Sequence, residues 1–438
     1  MATSAAPETR PAKVWWSNAT FFVGVHIAAA IGIYLYPWYS VPRRTLWLTL
    51  VLWQASSLGI TVGYHRLYSH RAFRARLGVR ILIACLGSSA LQGSIKWWCL
   101  RHRLHHRFTD DPVHDPYAAT RGLLWSHMGW IFFKPRYERM NLVDSDDLEH
   151  DPVVRLQHKY YVPIAGFFGL ALPSIIGAAW GDPIGAYIWA GLLARILAWH
   201  CTFCVNSLAH WDGLQPYSDE NTSKSNFLLA LLTCGEGNHN FHHAFPHDFR
   251  SGPCLLDWDP SKWVILLLHS LGYASGLRRA RDEDVHAALE HMSKHENEHV
   301  RGHVHGFEPG YHTIPEGSVA RGEDEEAADV WTGKVWTLGQ AMQYARAGKG
   351  VGRCAIIIDG FVVDATGYLG EHPGGAAIIR KYSIRADPGE NQKEGAVLSE
   401  SEEVWKEASW AFHGGLNQHT WAAKRRMREL RVAKLSDD

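Results

Sequence analysis

The chain has 438 residues, which is long enough for two or more folding units. It contains 44 Lys and Arg against 44 Asp and Glu, so its net charge neither favours nor excludes nucleic acid, and we expect no nucleic-acid partner. Its 7 cysteines are odd in number and scattered, which argues against a disulfide framework and favours a reducing compartment.

Four stretches are apolar enough and long enough to cross a bilayer, and we predict spans at 18–37, 45–63, 161–180 and 184–208. The shorter apolar runs at 79–95 and 263–277 suit re-entrant or interfacial helices. The loop between the second and third spans is long and rich in arginine, whereas the next loop is only "GDP". The positive-inside rule therefore places the long loop and both termini in the cytosol, although Arg43 and Arg44 in the first loop point weakly the other way.

Three groups of histidines stand out among the 27 in the chain. They are "YHRLYSHR", with His65 and His70; "LRHRLHHRF", with His102, His105 and His106; and "GEGNHNFHHAF", with His239, His242 and His243. The last two groups share the spacing i, i+3, i+4, which puts all three rings on one helical face. Asn206 and His210 lie four residues apart at the end of the fourth span. Each group lies where a membrane helix meets the cytosol, so one fold can gather them at a single depth.

Such a collection of imidazoles predicts two metal ions rather than one. Neutral imidazole binds iron, zinc and copper, whereas magnesium and calcium prefer oxygen ligands. Zinc hydrolysis usually uses three ligands and an open position, whereas a nitrogen-rich pair of irons can activate dioxygen. Unrelated surface histidines are the alternative, which the repeated spacing disfavours. The isolated histidines are instead expected to pack or to form hydrogen bonds: His26, His127, His200, His247 and His269.

The composition changes after residue 285. Residues 286–329 are charged and poor in large apolar side chains, which predicts a helix that fades into a linker. His291, His295 and His299 follow one helical stripe there; a metal site is one interpretation, and a solvated face is the favoured one. Beyond it, "AIIIDGFVVDAT" predicts a β-hairpin with an Asp-Gly turn inside a compact domain. We therefore predict three parts: 1–285, 286–329 and 330–438.

The motifs "HRLYSH", "HRLHHRF", "NSLAH" and "GEGNHNFHH" resemble those of membrane acyl-CoA Δ9-desaturases, the stearoyl-CoA desaturase family. The match covers residues 15–285, and "TRGLLWSHMGW" extends it. It implies a mainly α fold, in which a bundle of four transmembrane helices lies under a cytosolic helical cap that holds two irons. The metal ligands that it implies are His65, His70, His102, His105, His106, His210, His239, His242 and His243, with Asn206 binding one metal through water. Which ligand serves which metal stays open.

The same resemblance implies the reaction and its substrate. Saturated fatty acyl-CoA, dioxygen and two electrons would give a cis double bond at Δ9 and two waters. Trp98 matches a family tryptophan near the substrate. Asn18, Arg101, Lys134 and Arg136 are candidates for contacting CoA, because phosphates favour Arg and Lys. A basic cytosolic loop is also expected from the topology alone.

The segment "LGEHPGGAAIIRKY" resembles the first haem box of cytochrome b5, a small α+β domain. His372 would be one axial ligand, presented by a turn of Pro373, Gly374 and Gly375. His419, 47 residues later, is the expected second ligand, and His413 is the alternative. This spacing exceeds the usual one, as in fungal desaturases with a fused cytochrome b5. Two imidazoles leave haem b no open iron position, so such a haem transfers electrons and does not bind oxygen.

We therefore expect an acyl-CoA desaturase of the endoplasmic reticulum membrane, with its catalytic and haem domains in the cytosol. A tethered carrier would meet the metal centre at an effective concentration on the order of millimolar, and an NADH-cytochrome b5 reductase would supply its electrons. One alternative is another histidine-box enzyme, such as a fatty-acid or sterol hydroxylase. A second is a non-catalytic membrane haem electron carrier with structural zinc. Zinc could also replace iron during overexpression.

Overall fold

The structure is a computed structural model that describes residues 13–303, 331–348, 352–370, 372, 375–384, 404–413 and 419–436, with side chains omitted at 295–303. The chain divides into two compact units, Met1–Arg281 and Asp282–Asp438. Pro373, Gly374 and most of the predicted linker lie outside the described residues, as do the side chains of His295 and His299.

The described part of the first unit is mainly helical and contains one short two-stranded ribbon. Its helices are α1 Trp16–Leu35, α2 Arg43–Ser69, α3 Leu77–Ser89, α4 Ile95–Arg107, α5 Leu123–His127, α6 Asp146–His150, α7 Pro152–Lys159, α8 Tyr161–Ala178, α9 Pro183–His210, α10 Phe227–Leu232, α11 His239–Ala244 and α12 Pro260–Ser270. Strands β1 Arg74–Ala75 and β2 Ala274–Ser275 pair antiparallel. The ribbon joins the end of α2 to the segment after α12.

Helices α1, α2, α8 and α9 are long and apolar enough to cross a membrane, with 20, 27, 18 and 28 residues. The number and places of the predicted spans are confirmed, and the helix that contains the second span extends beyond its predicted end at residue 63. Helix α2 continues to Ser69 and therefore carries His65. The apolar pattern stops early because His65 and Arg66 are polar, yet both are buried by the surrounding chain, so the helix does not have to end there.

The last turns of α2, Gly59–Ser69, form a π-helix. Wide turns of this kind are rare and occur frequently at functional sites. Gly59 allows this part of α2 to touch α3, because a Cβ atom at Gly59 would overlap the backbone of Gly87. The close approach fixes the direction in which α2 delivers its polar end.

Buried polar groups also tie the spans together. Arg195 of α9 is fully buried and donates hydrogen bonds to the carbonyls of Ser89, at 2.8 Å, and Leu52, at 3.0 Å. The indole of Trp199 donates to the carbonyl of Ala90 at 2.7 Å. The bonds to Ser89 and Ala90 satisfy carbonyls at the C-terminal end of α3, which have no partner within the helix. They hold α9 against α2 and α3.

The second unit combines helices with a small mixed sheet. Its elements are α13 Asp282–His303, β3 Val335–Trp336, α14 Leu338–Ala347, β4 Ala355–Ile358, β5 Phe361–Asp364, α15 Ala376–Lys381, α16 Ala408–Phe412, α17 Trp421–Glu429 and β6 Arg431–Leu435. The strand order is β3-β6-β5-β4, with β3 and β6 parallel and the other pairs antiparallel. The predicted hairpin is confirmed: Ile356 pairs with Val363, and Asp359 and Gly360 have φ angles of 54° and 74°. Positive φ at both residues is what a type I′ turn requires.

Helix α13 packs on α17 within the second unit. Asp284 and Arg425 form an ion pair at 3.2 Å. The rings of His291 and Trp421 stack with 4.4 Å between centroids and 12° between planes. His291 is therefore only partly exposed, because an aromatic ring of α17 lies against one side of its ring.

Candidate metal centre

Four separate parts of the first unit bring the predicted ligands together. His65 lies near the end of α2 and His70 just after it; α4 carries His102, His105 and His106; α9 ends at His210; α11 carries His239, His242 and His243. Helix α4 is capped at its N-terminus by Ser94, whose hydroxyl accepts a hydrogen bond from the backbone N–H of Trp97 at 3.2 Å. A serine cap of this kind fixes where the helix starts, and hence which way its histidine face points.

Five of the rings form one group, which consists of His65, His70, His102, His106 and His242. One nitrogen from each lies within 4.8 Å of all the others. His242 Nε2 is 3.0 Å from His65 Nε2 and 2.9 Å from His106 Nε2. His70 Nε2 is 2.8 Å from His102 Nε2. Ring nitrogens that converge on one point are arranged as the ligands of a transition metal are.

The remaining four rings, His105, His210, His239 and His243, form a second group and are all buried. His239 Nε2 lies 3.0 Å from both His210 Nε2 and His243 Nε2. The two groups are neighbours, since the rings of His106 and His243 stack with 4.4 Å between centroids. The structure thus sorts the nine rings into sets of five and four, which the sequence left open.

Burial keeps at least three of these imidazoles in the form that binds metals. Burial, and then the neighbouring imidazoles, lower the pKa values of His106, His242 and His243 well below 6.5. The ligand form of histidine is the neutral ring. These three rings can therefore bind iron or zinc without first losing protons at neutral pH.

Glu236 supports the five-histidine group. Its Oε2 lies 3.1 Å from His65 Nδ1, and its Oε1 accepts a hydrogen bond from Arg66 Nη2 at 2.8 Å. Burial by itself would raise the pKa of Glu236, but Arg66 and then His65 hold it at about 2. The carboxylate thereby leaves Nε2 of His65 as the ligand atom, as outer partners of metal-binding histidines do.

Asp115 and Thr222 support the four-histidine group. His105 Nδ1 donates to the buried carboxylate of Asp115, at 2.9 and 3.0 Å. His210 Nδ1 lies 2.9 Å from the hydroxyl of Thr222, which donates to Asp110 at 2.7 Å. Sequence reasoning missed these outer partners. The only signals were the "GEG" lead-in that contains Glu236 and the acidic "DDPVHD" that follows α4.

Residues 43–248 match the model of the fatty acid desaturase family. The probable acyl-CoA desaturase of Schizosaccharomyces pombe is 33% identical over 428 residues, which cover 95% of this chain and 77% of the relative. Acyl-CoA desaturase 1 of Saccharomyces cerevisiae is 32% identical over 426 residues, 96% of this chain and 74% of the relative. The chain belongs to the fatty acid desaturase family. Stearoyl-CoA desaturase 5 of Homo sapiens is 35% identical over 280 residues, 63% of this chain and 84% of the relative.

Family membership confirms the resemblance drawn from the histidine motifs and makes the chain an oxidoreductase. The similarity to the two fungal desaturases also continues beyond the metal centre, since an alignment over 95% of the chain includes most of the second unit.

Trp98 of the desaturase lies beside the five-histidine group. Its indole stacks on the ring of His102, with 4.9 Å between centroids and 23° between planes, and lies 6.2 Å from the ring of His65. Asn206 is on α9, one turn before His210. Its side chain is partly buried.

Arg101 is the most unusual of the predicted substrate residues. It is 3% exposed, and its guanidinium lies 3.2 Å from the ring centroid of Trp97. Its Nε and Nη1 have no hydrogen-bond partner among the described residues. Burial lowers its pKa to about 10. A buried cation without a carboxylate is suited to an anionic ligand.

The other three candidates differ from Arg101. Asn18 is partly buried, and its side-chain amide donates to the carbonyl of Ile131 at 2.8 Å. Lys134 and Arg136 are exposed. The isolated histidines form hydrogen bonds as predicted where these are described; His269 Nδ1, for example, lies 3.1 Å from the carbonyl of Ala274.

A second pair of imidazoles lies in the C-terminal unit of the desaturase. The rings of His372 and His419 face each other with 6.1 Å between centroids and 32° between planes. Two rings that face each other at this separation would be able to hold one iron between them. His419 Nδ1 lies 2.8 Å from the carbonyl of Phe412, and His372 Nδ1 lies 3.2 Å from that of Gly375. These contacts leave Nε2 of each ring as the ligand atom.

The alternative ligand, His413, is engaged elsewhere. Its Nε2 lies 2.8 Å from the carboxylate of Asp359, in the turn of the hairpin. The ring of Phe412 stacks on His419 at 4.2 Å, which gives the histidine pair an apolar wall. The described residues therefore fit a group held by His372 and His419 better than one held by His413.

Proposed function

We propose that this chain is an acyl-CoA desaturase that inserts a cis double bond at Δ9 into saturated fatty acyl-CoA. Dioxygen is the oxidant, and the C-terminal unit supplies electrons. The convergence of nine imidazoles into two neighbouring groups carries the proposal. Delta(9)-fatty-acid desaturase fat-5 of Caenorhabditis elegans, 37% identical over 245 residues, supports the position of the bond.

The five-histidine and four-histidine groups would each hold one iron ion, and Asn206 would reach one of them through water. Bound iron supplies the activation of dioxygen that removes hydrogen from an unactivated carbon. Glu236 and Asp115 hold His65 and His105 in orientation. Burial of the ligands excludes bulk water, and Trp98 forms a wall of the centre beside His102.

The acyl-CoA would be held at both ends. Its apolar chain would enter the bundle of spanning helices. Arg101, already desolvated and without a carboxylate partner among the described residues, would bind an anionic or carbonyl oxygen of the CoA part. The exposed Lys134 and Arg136 would contact phosphate at the surface. Each of these contacts would contribute less to binding than that of Arg101, because solvent screens the charges. Asn18 lies on α1, and the carbonyl of its side chain would lie near the CoA part of the substrate.

The C-terminal unit would carry haem b between His372 and His419. A haem with two imidazole ligands transfers electrons. An NADH-cytochrome b5 reductase would reduce it, and the covalent connection would replace a collision between two proteins. Both units would face the cytosol from the endoplasmic reticulum membrane, as the distribution of arginine indicates.

Expression in a desaturase-deficient host, followed by gas chromatography of its lipids, tests the function. We expect monounsaturated fatty acids, and their absence with His242→Ala at equal protein level. A hydroxy acid as the main product would favour the hydroxylase alternative. Failure to consume dioxygen with acyl-CoA and a reduced donor would favour a non-catalytic carrier. The same assay determines the position of the double bond. That position needs this test because an acyl-CoA Δ11 desaturase of Trichoplusia ni is also 37% identical over 255 residues.

The role of the C-terminal unit needs a separate variant. We expect His372→Ala to lose the haem absorbance and NADH-driven turnover, while free cytochrome b5 restores activity. Full haem content and unaided turnover in His372→Ala would contradict the tethered donor without affecting the desaturase assignment.

A further inference from the structure

Three histidines outside the metal centre form a chain of hydrogen bonds across three helices. His26 lies on α1, His200 on α9 and His127 at the end of α5. His26 Nε2 is 3.1 Å from His200 Nε2, and His200 Nδ1 is 2.9 Å from His127 Nε2. All three rings are partly buried. Ionisable side chains within membrane spans are rare and are usually functional.

Both ends of the chain lie against backbone carbonyls. His26 Nδ1 is 2.7 Å from the carbonyl of Phe22. At the other end, His127 Nδ1 is 3.0 Å from the hydroxyl of Ser207, which lies 2.7 Å from the carbonyl of Phe203. A carbonyl can only accept a hydrogen bond. Each terminal contact therefore takes up one proton from the chain.

Counting protons shows that this row of hydrogen-bonded groups, when all three rings are neutral, has one proton fewer than it has contacts. Five contacts link the three imidazoles, one serine and two carbonyls. A neutral imidazole has one N–H and serine has one O–H, so four protons serve five contacts. One contact would then bring two lone pairs together at a hydrogen-bond distance. A single added proton gives every contact a donor.

The surroundings do not hold that proton by opposite charge. Among the described residues, no carboxylate is hydrogen-bonded to any of the three rings. The titratable groups that act on His200 are His127 and His26 themselves, and Trp199 and Phe203 pack around the rings. Burial lowers the pKa of His127. A proton that is held only by hydrogen bonds at a partly buried site is easily given up.

We propose that His26, His200 and His127 form a proton reservoir for desaturation, which holds one extra proton and releases it at Ser207. This proposal rests on the proposed function. Ser207 lies on α9 between Asn206 and His210, so the reservoir ends on the turn that carries predicted metal ligands.

The reaction consumes the protons that such a reservoir would supply. Forming the double bond breaks two C–H bonds and releases two protons and two electrons. Reducing dioxygen to two waters takes four of each, so two electrons come from the donor and two protons from solvent. The buried metal centre has little contact with solvent. A proton stored nearby therefore shortens the path along which a proton reaches the centre.

The test uses the full chain in bilayer nanodiscs, with stearoyl-CoA, dioxygen and a reduced donor. In His200→Gln, the amide can still donate and accept but cannot carry an extra proton. We expect kcat to fall on the order of 10²-fold at unchanged KM, metal content and haem content. The parent should lose rate as pH rises and the reservoir empties, whereas the variant should respond less to pH and show a larger solvent deuterium isotope effect. His269→Gln, on α12 and outside the reservoir, is the control and should match the parent.

The place of each histidine in the hydrogen-bonded row predicts a ranking of the variants, and measuring that ranking is a second test. His127→Gln, next to Ser207, should be at least as impaired as His200→Gln, and His26→Gln, at the far end, should be impaired least. An unchanged pH profile and isotope effect in His127→Gln and His200→Gln would overturn the proposal. If His200→Gln lost its metals, His127→Gln would decide by the same two readouts. A parent chain that desaturates no acyl-CoA would instead refute the proposed function.

Discussion

The hydrogen bond between His105 and Asp115 offers a direct way to change one metal position and leave the other intact. Asp115 is 4% exposed and accepts hydrogen bonds from His105 Nδ1 and from the backbone N–H groups of Asp110 and Tyr117, at 2.9 to 3.1 Å. Asp115→Asn keeps the shape of the side chain and removes its charge. The ring of His105 then becomes a less basic and less firmly oriented ligand.

The size of the effect follows from the role of Asp115. Removing an outer partner of this kind typically costs about 10- to 100-fold in metal affinity or activity, or about 1.4–2.7 kcal/mol at 1.36 kcal/mol per tenfold change. The loss falls on the four-histidine group, because His105 belongs to it. The five-histidine group keeps its own carboxylate, Glu236, on His65. We therefore expect the metal content to fall from two ions per chain towards one.

Metal analysis after dialysis against graded chelator would measure this change, with desaturation assayed on the same samples. Asp111→Asn is a matched control, since Asp111 makes a similar contact with His114, at 3.0 Å, outside both groups. Asp115→Asn protein that held both ions as tightly as the parent would refute the reasoning. Loss of both ions together would also contradict it, because the two positions would then not be independent.

Three further changes probe other parts of the fold. Arg103 is among the groups that hold the pKa of Asp147 at about 2 against burial, so Asp147 stabilises the chain above its unfolded pKa of 3.8 and the effect is lost as pH falls towards 2. With a third of that side chain exposed, Asp147→Asn should cost about 1 kcal/mol at neutral pH and progressively less as pH falls through the pKa of about 2, as measured by thermal unfolding. His419→Ala should abolish the haem absorbance, whereas His413→Ala should keep it; the opposite result would exchange the two ligands. Gly59→Ala should lower the yield of folded protein, because its methyl group would overlap the backbone of α3.

More of the metal centre than of any other part of the molecule could be predicted from the sequence. The spacing i, i+3, i+4 is a local property of a helix, so three ring directions on α4 could be inferred without knowing the fold. The family resemblance then indicated that His65, His70 and His210 join them. The division into groups of five and four depends on how α2, α4, α9 and α11 pack, which no local pattern encodes.

Two polar positions show what hydropathy and charge patterns do not capture. Hydropathy places the end of the second span before His65, and charge predicts a solvated face for His291. Both patterns assume that polar residues meet water. In the structure neighbouring side chains contact these regions as well: Arg66 is bonded to Glu236 and Asp259, and Trp421 stacks on one side of His291.

The outer partners show why the two metal positions cannot be equivalent. Glu236 shares its carboxylate between His65 and Arg66, with 2.8 Å to the guanidinium, so much of its negative charge is neutralised. Asp115 has no guanidinium or ammonium partner among the described residues, and its charge acts on His105 with less compensation. A carboxylate raises the basicity of the ligand that it holds. One ring of the four-histidine group should therefore be a more basic ligand than its counterpart in the five-histidine group. This difference partly offsets the smaller number of imidazoles in the four-histidine group.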